Sequence, residues 1–127
     1  MKYNVLGVGL VLFFSRSVFA QQSLVGKYSG AYISTTNHGD ERQGLTLEIT
    51  SVDGEIVKGK AVRTARGKNV RCNGEYPVEG PVKGNELSLK STEKGGRTED
   101  CRVNLKLTVE SNKLVGTMGQ HKATLSK

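Results

Sequence analysis

From Cys101 to Val109 the chain alternates without a slip. Cys101, Val103, Leu105, Leu107 and Val109 are apolar, and Arg102, Asn104, Lys106 and Thr108 between them are polar. A period of two belongs to a strand with one face buried and the other in water. Shorter copies recur: Leu45, Leu47 and Ile49 with Thr46, Glu48 and Thr50 between and after them, then Leu87 and Leu89, Leu114, Gly116 and Met118, and Ala123 and Leu125. Beyond the first twenty residues no apolar stripe repeats at i, i+3, i+4 and i+7, so helices are not expected. The chain reads as all-β.

Turn signals divide it into eight expected strands, at about 24–34, 44–52, 55–65, 70–83, 86–92, 100–110, 113–118 and 121–126. The fourth is the least regular, because Asn73-Gly74 can turn by itself and Pro77, Gly80 and Pro81 interrupt or bend a strand. Eight sequential antiparallel strands suit an up-and-down β-barrel, which leaves no exposed edge; a two-sheet sandwich is the rival. The turn after the second strand can be typed from facing alone. A two-residue turn at Asp53-Gly54 pairs Ile49 with Lys58 and buries Lys58 and Lys60, which is costly. A three-residue turn with Gly54 in a left-handed bulge pairs Ile49 with Val57 and turns Val57, Gly59 and Ala61 inward, and is preferred. These small inward residues, with Gly116, either leave a cavity or fit the taper of a filled barrel.

Connections alternate in length. Those at Asp53-Gly54, Gly84-Asn85 and Ser111-Asn112 are tight, whereas Thr35 to Gln43, Arg66 to Asn69 and Glu93 to Glu99 are longer. In a meander the two sets fall at opposite ends, so one end is expected to be a mouth framed by polar loops, a usual place for binding.

The N-terminus carries a separate message. Lys2 precedes an apolar run from Val5 to Phe14, and small residues follow at Val18 and Ala20. That is the layout of a secretory signal peptide cleaved near Ala20. The run is too short to span a bilayer, which takes about 20 residues. The expectation is therefore a signal peptide over residues 1–20 and one barrel domain over 21–127, periplasmic or secreted, with no transmembrane segment. Two cysteines in an exported chain are most simply one disulfide, Cys72–Cys101. Closing that loop of 29 residues contributes about 3–4 kcal/mol in the chain-entropy account. There is no CxxC pair, no Asn-x-Ser/Thr sequon, and no cysteine just after the leader to take a lipid anchor.

The formal charge of +7 includes Lys2 and Arg16, so residues 21–127 carry +5. That is too little, and too evenly spread, for a nucleic-acid binder. The densest basic stretch is Arg63, Arg66, Lys68 and Arg71. It reads either as a solvated loop with its flanks or as an anion-binding rim. Within the three longer loops Arg42, Arg66, Lys68, Lys94 and Arg97 are balanced by Asp40, Glu41, Glu93, Glu99 and Asp100, which tells against the rim.

The opening Leu24-Val25-Gly26-Lys27-Tyr28 resembles the first strand of calycin barrels, the lipocalin and avidin group, with Tyr28 where those families carry tryptophan. Gly54 to Ala61 and Leu114 to Thr117 are similar to avidin-type strands. The resemblance implies an up-and-down barrel and allows homo-oligomers through the outer wall. It does not carry biotin binding, because avidins stack their ligand between tryptophans and this chain has none. Ser29-Gly30-Ala31-Tyr32 is similar to the Ser-Gly-x-x-Tyr motif of one family of periplasmic lysozyme inhibitors. It is one residue short, and a basic chain meets basic lysozyme at an electrostatic disadvantage.

Catalytic constellations are poorly supplied. No nucleophile elbow or Walker loop is present. His38 and His121 with Asp40 or Glu41 make a conceivable three-ligand metal set, yet no HxH or HExxH spacing supports it. The chain is read as no enzyme, with no cofactor and no metal. The expected function is a binding or accessory module for a small amphipathic molecule, a glycan or a protein partner; the alternative is a structural or protein-interaction module that acts through its outer surface, as an oligomer or on an envelope partner. Its candidate residues are Tyr28, Tyr32, His38, Arg42, Arg66, Lys68, Arg97 and His121. Tyr28, Tyr32 and Tyr76 serve equally well as packing.

Overall fold

The computed structural model describes residues 24–36, 39–92 and 101–127. The predicted leader and its cleavage point lie outside the described residues. Eight strands follow one another: β1 (Gly26–Thr36), β2 (Gly39–Asp53), β3 (Ile56–Thr64), β4 (Gly74–Lys83), β5 (Glu86–Ser91), β6 (Asn104–Glu110), β7 (Lys113–Met118) and β8 (His121–Ser126), with a short 3₁₀ helix (Gly67–Cys72) between β3 and β4. Each strand pairs antiparallel with the next, and β8 returns to β1 from Ser29↔Ser126 to Tyr32↔Ala123. That last ladder closes the barrel and excludes the sandwich, whose two sheets would keep free edges.

Period-two facing builds the interior. Leu45, Leu47, Ile49, Leu87, Leu89, Leu105, Leu114 and Leu125 are all at most 1% exposed, with Val57, Ala61 and Tyr76 among them. Outside, every strand shows water a charged side chain, among them Lys27, Glu48, Lys60, Glu79, Lys90, Lys106, Lys113 and Lys122. This is the inverse of the apolar band on a transmembrane barrel. Among the described residues no helix is long and apolar enough to cross a membrane.

The structure corrects four expectations and decides one alternative that the sequence leaves open. Thr35, Thr36 and Gly39 to Gln43 are strand residues, not loop. β1 and β2 stay paired to Thr36↔Gly39, while β8 leaves β1 at Tyr32 and β3 leaves β2 at Gly44. The two strands therefore run on past their other neighbours as a ribbon. Most of the ribbon is solvated, which hid its strand character, and Thr35 Oγ1 lies 3.3 Å from Asp40 Oδ1 across it.

The β2–β3 turn is a two-residue one at Gly54-Glu55, closed by Asp53↔Ile56, with Gly54 at φ +63°. The extra residue sits in the strand instead. Ile49 pairs with Gly59 and Ser51 with Lys58, leaving Thr50 as a bulge. Val57 and Ala61 still face inward, as the cost of burying lysine requires; a bulge restores the facing wherever it is inserted.

Residues 70–72 belong to the 3₁₀ helix rather than to β4. The Asn73 side chain then does the work of a ladder residue: its Oδ1 accepts from Ala65 N at 2.5 Å and its Nδ2 donates to Ala65 O at 3.0 Å. At the other end of the alternation, β6 begins at Asn104, not near 100, although Cys101 and Val103 are buried in phase with it.

Finally, the small inward residues do not line a hollow. A Cβ on Gly59 would run into the Glu48 carbonyl, and one on Gly116 into that of Lys106; Gly30 and Gly80 meet Thr124 and Ser88 likewise. At these corners the neighbouring backbone occupies the side-chain space, so strands coil tightly round a filled core.

Candidate functional site

The two ends of the barrel differ in chemistry. Around the tight turns the interior is apolar, with Val57, Val82, Leu114 and the N-terminal Leu24 all buried. Tyr28 closes this floor. Its hydroxyl donates to the Leu24 carbonyl at 2.9 Å, and burial raises its pKa above the ordinary 10.0.

Tyrosines aside, only three polar or charged side chains are buried among the described residues: Ser34, Gln43 and Arg63. All three stand at the opposite end, the mouth. Ser34 and Gln43 come from the roots of the ribbon, and Arg63 from the last inward position of β3. Gln43 is fully used: its Oε1 accepts from Arg66 N at 2.8 Å, and its Nε2 lies 3.5 Å from Ser34 Oγ and 3.4 Å from Glu41 Oε2. Arg63 is 9% exposed and donates from Nη2 to the Tyr32 hydroxyl at 3.1 Å. Its guanidinium carbon lies 5.4 Å from the Tyr32 ring centroid, and the His121 ring stands 5.9 Å from the same centroid. Tyr32 is thus the common neighbour of a guanidinium and an imidazole.

The mouth is braced from below. Cys72 and Cys101 are joined, with Cα atoms 5.1 Å apart, and Tyr76 donates its hydroxyl to Cys72 O at 2.6 Å. The expected disulfide therefore ties the 3₁₀ segment to the start of the β6 alternation.

The structure brings Tyr32 and His121 together and separates them from Tyr28, which belongs to the floor. Arg66 is exposed and meets the cluster through its backbone N–H. Arg42 is exposed and pairs with Ile33, so it alternates with inward Gln43 and points to the outer side of the ribbon. Lys68 lies in the 3₁₀ helix, with its side chain outside what is described. His38 and Arg97 fall outside the described residues, and with His38 so does the conceivable metal set it belongs to. Among the described residues no three of His, Cys, Asp or Glu gather as metal ligands.

Sequence reasoning passed over Arg63 as a site residue. The signal was available: Val57, Gly59, Ala61 and Arg63 share one parity, so a strand that turns Ala61 inward turns Arg63 inward too.

An open groove of about 460 Å³ lies elsewhere, on the outer wall along Pro81, Lys83, Glu86, Ser88 and Lys106. Its polar lining is exposed or half-buried and holds none of the buried polar groups.

The fold and this site define a closed eight-stranded up-and-down barrel with a dry apolar floor and a polar mouth, an architecture compatible with the calycin type. Comparison with protein-family models, with curated proteins and with solved structures finds no match for the chain.

Proposed function

We propose that the protein is an exported β-barrel binding module that holds its ligand at the mouth. One observation supports this reading above the others. The tyrosines aside, every buried polar or charged side chain among the described residues (Ser34, Gln43 and Arg63) stands at that one end, at the base of the ribbon. Buried polar groups weaken a small core unless something repays their desolvation, and a rigid wall carrying a few placed polar groups is how binding sites are built. The filled core argues for a ligand seated on the barrel rather than inside it. The disulfide fits an oxidising compartment, in keeping with a leader over residues 1–20.

Native mass spectrometry of protein purified from its own host's envelope fraction tests the reading. A reproducible extra mass, lost on denaturation and lost in His121→Ala but kept in Tyr28→Phe, is the expected result. A bare monomer, or equal retention by both variants, removes the mouth assignment. The same spectrum reads homo-oligomers directly.

A further inference from the structure

We infer that Arg63 is the receptor for an oxyanion, a carboxylate or a phosphate group, on whatever ligand the mouth holds. The inference rests on the mouth being the binding site and names the chemistry of its occupant.

Arg63 is the one buried charged residue among those described. The ion pair of Lys60 with Glu75 at 3.5 Å lies on the outer wall, and no described carboxylate comes within ion-pair distance of the buried guanidinium. An arginine stays charged at any working pH and offers five N–H donors. Here Nη2 is used by Tyr32, and Nε is buried with no hydrogen-bond partner. The rest of the polar cluster is satisfied: Ser34, Gln43 and the backbone of Arg66 bond to one another. The deficit is therefore confined to a single group.

A guanidinium taken out of water without a counter-charge is strongly unfavourable, and such charges persist when a partner completes them. The partner that suits this fork is an anion with two coplanar or tetrahedral oxygens. Tyr32 supports the same sign. Its oxygen accepts from Arg63, which leaves the phenolic hydrogen free to donate, and His121 adds a further polar ring beside it. The guanidinium acts as anchor, and Tyr32 acts as the positioning group that holds it.

The test uses the full mature protein, ¹⁵N-labelled, at constant ionic strength with chloride as the background ion. Inorganic phosphate and acetate are titrated separately against wild type, Arg63→Met and Arg63→Lys, reading the arginine Nε–Hε resonances and the melting temperature. The expected result is a saturable shift of the Arg63 resonance and a rise in melting temperature. Both are lost in Arg63→Met, and the rise is partly kept in Arg63→Lys. A response to phosphate alone assigns a phosphoryl group, a response to acetate alone a carboxylate. In chloride alone Arg63→Met melts no lower than wild type, because it removes a charge that lacks its partner. No saturable shift with either ion, or a response unchanged in Arg63→Met, overturns the inference. So does an Arg63→Met variant that melts well below wild type, since Arg63 would then be a satisfied structural residue. Retention of the native ligand by Arg63→Met in the mass spectrum would remove the anion while leaving the mouth as the site; loss of retention in His121→Ala and Arg63→Met together supports both.

Discussion

Tyr28 and Tyr32 are four residues apart on one strand, equally buried, and differently employed. Tyr28 gives its hydroxyl to Leu24 O and disappears into the floor. Tyr32 receives a hydrogen bond from Arg63 and lies beside His121. The first is a closed arrangement in which every polar atom has a local partner, and its worth is stability. The second is an open one, with a charged donor left over. The same residue type in the same barrel thus serves as a plug at one end and as a support for a buried guanidinium at the other; what separates them is whether the neighbouring chain completes their hydrogen bonds.

That contrast is broken or sharpened by substitution at each end. Removing apolar volume from the floor has the largest effect: Leu114→Ala is expected to cost about 2–5 kcal/mol in denaturant unfolding, with any ligand still bound by the folded fraction. Opening the disulfide brace with Cys72→Ser and Cys101→Ser together is expected to cost about 3 kcal/mol, and calorimetry checks it. This change reaches the mouth through Tyr76 and Asn73, so ligand retention falls with it.

Tyr28→Phe is expected to cost about 1 kcal/mol through the lost hydrogen bond to Leu24. It carries a pH signature as well. The folded pKa of Tyr28 is raised above the unfolded 10.0, so the folded state keeps a proton that the unfolded chain gives up. Its contribution is fully present below pH 10 and falls as pH rises from the unfolded pKa toward the folded one. Thermal melts across that window should fall less steeply for Tyr28→Phe than for wild type.

The smallest effect is expected at Ser111, a non-glycine residue at φ +55° in the β6–β7 turn. Ser111→Gly should raise stability by a few tenths of a kcal/mol by relieving that conformation. A loss instead would show that the serine side chain supports the floor.

The facing of the strands was legible because each apolar position has a polar neighbour on both sides, as in Cys101 to Val109, and no other structure has that period. The closed barrel followed from counting such segments. What hid was whatever leaves facing unchanged. A bulge at Thr50 and a bulge at Gly54 turn the same residues inward, so parity cannot choose between them. The described part of the ribbon, residues 33–35 and 39–43, is mostly wet and offers no alternation to read. Arg63 was obscured differently. It sits next to Arg66, Lys68 and Arg71 in sequence and reads as one of a basic run, yet its strand sends it inward while Arg66 stays in water. Tyr32 and His121 were recognisable as residues of the mouth end, whereas Tyr28 was grouped with them only because both tyrosines share a strand face.

The corner glycines set an unusual pattern of mutational tolerance. A small domain is ordinarily harmed by losing atoms from its core, and it forgives a methyl group gained at the surface. Here Gly59 and Gly116 are partly exposed, yet the first carbon of any side chain would meet the carbonyl of the adjacent strand. Added bulk can be accommodated only by moving one strand off the next, and in a closed ring that displacement has no free edge to dissipate it. A survey of random variants should therefore find these positions more intolerant than their exposure suggests, with alanine rejected about as firmly as valine.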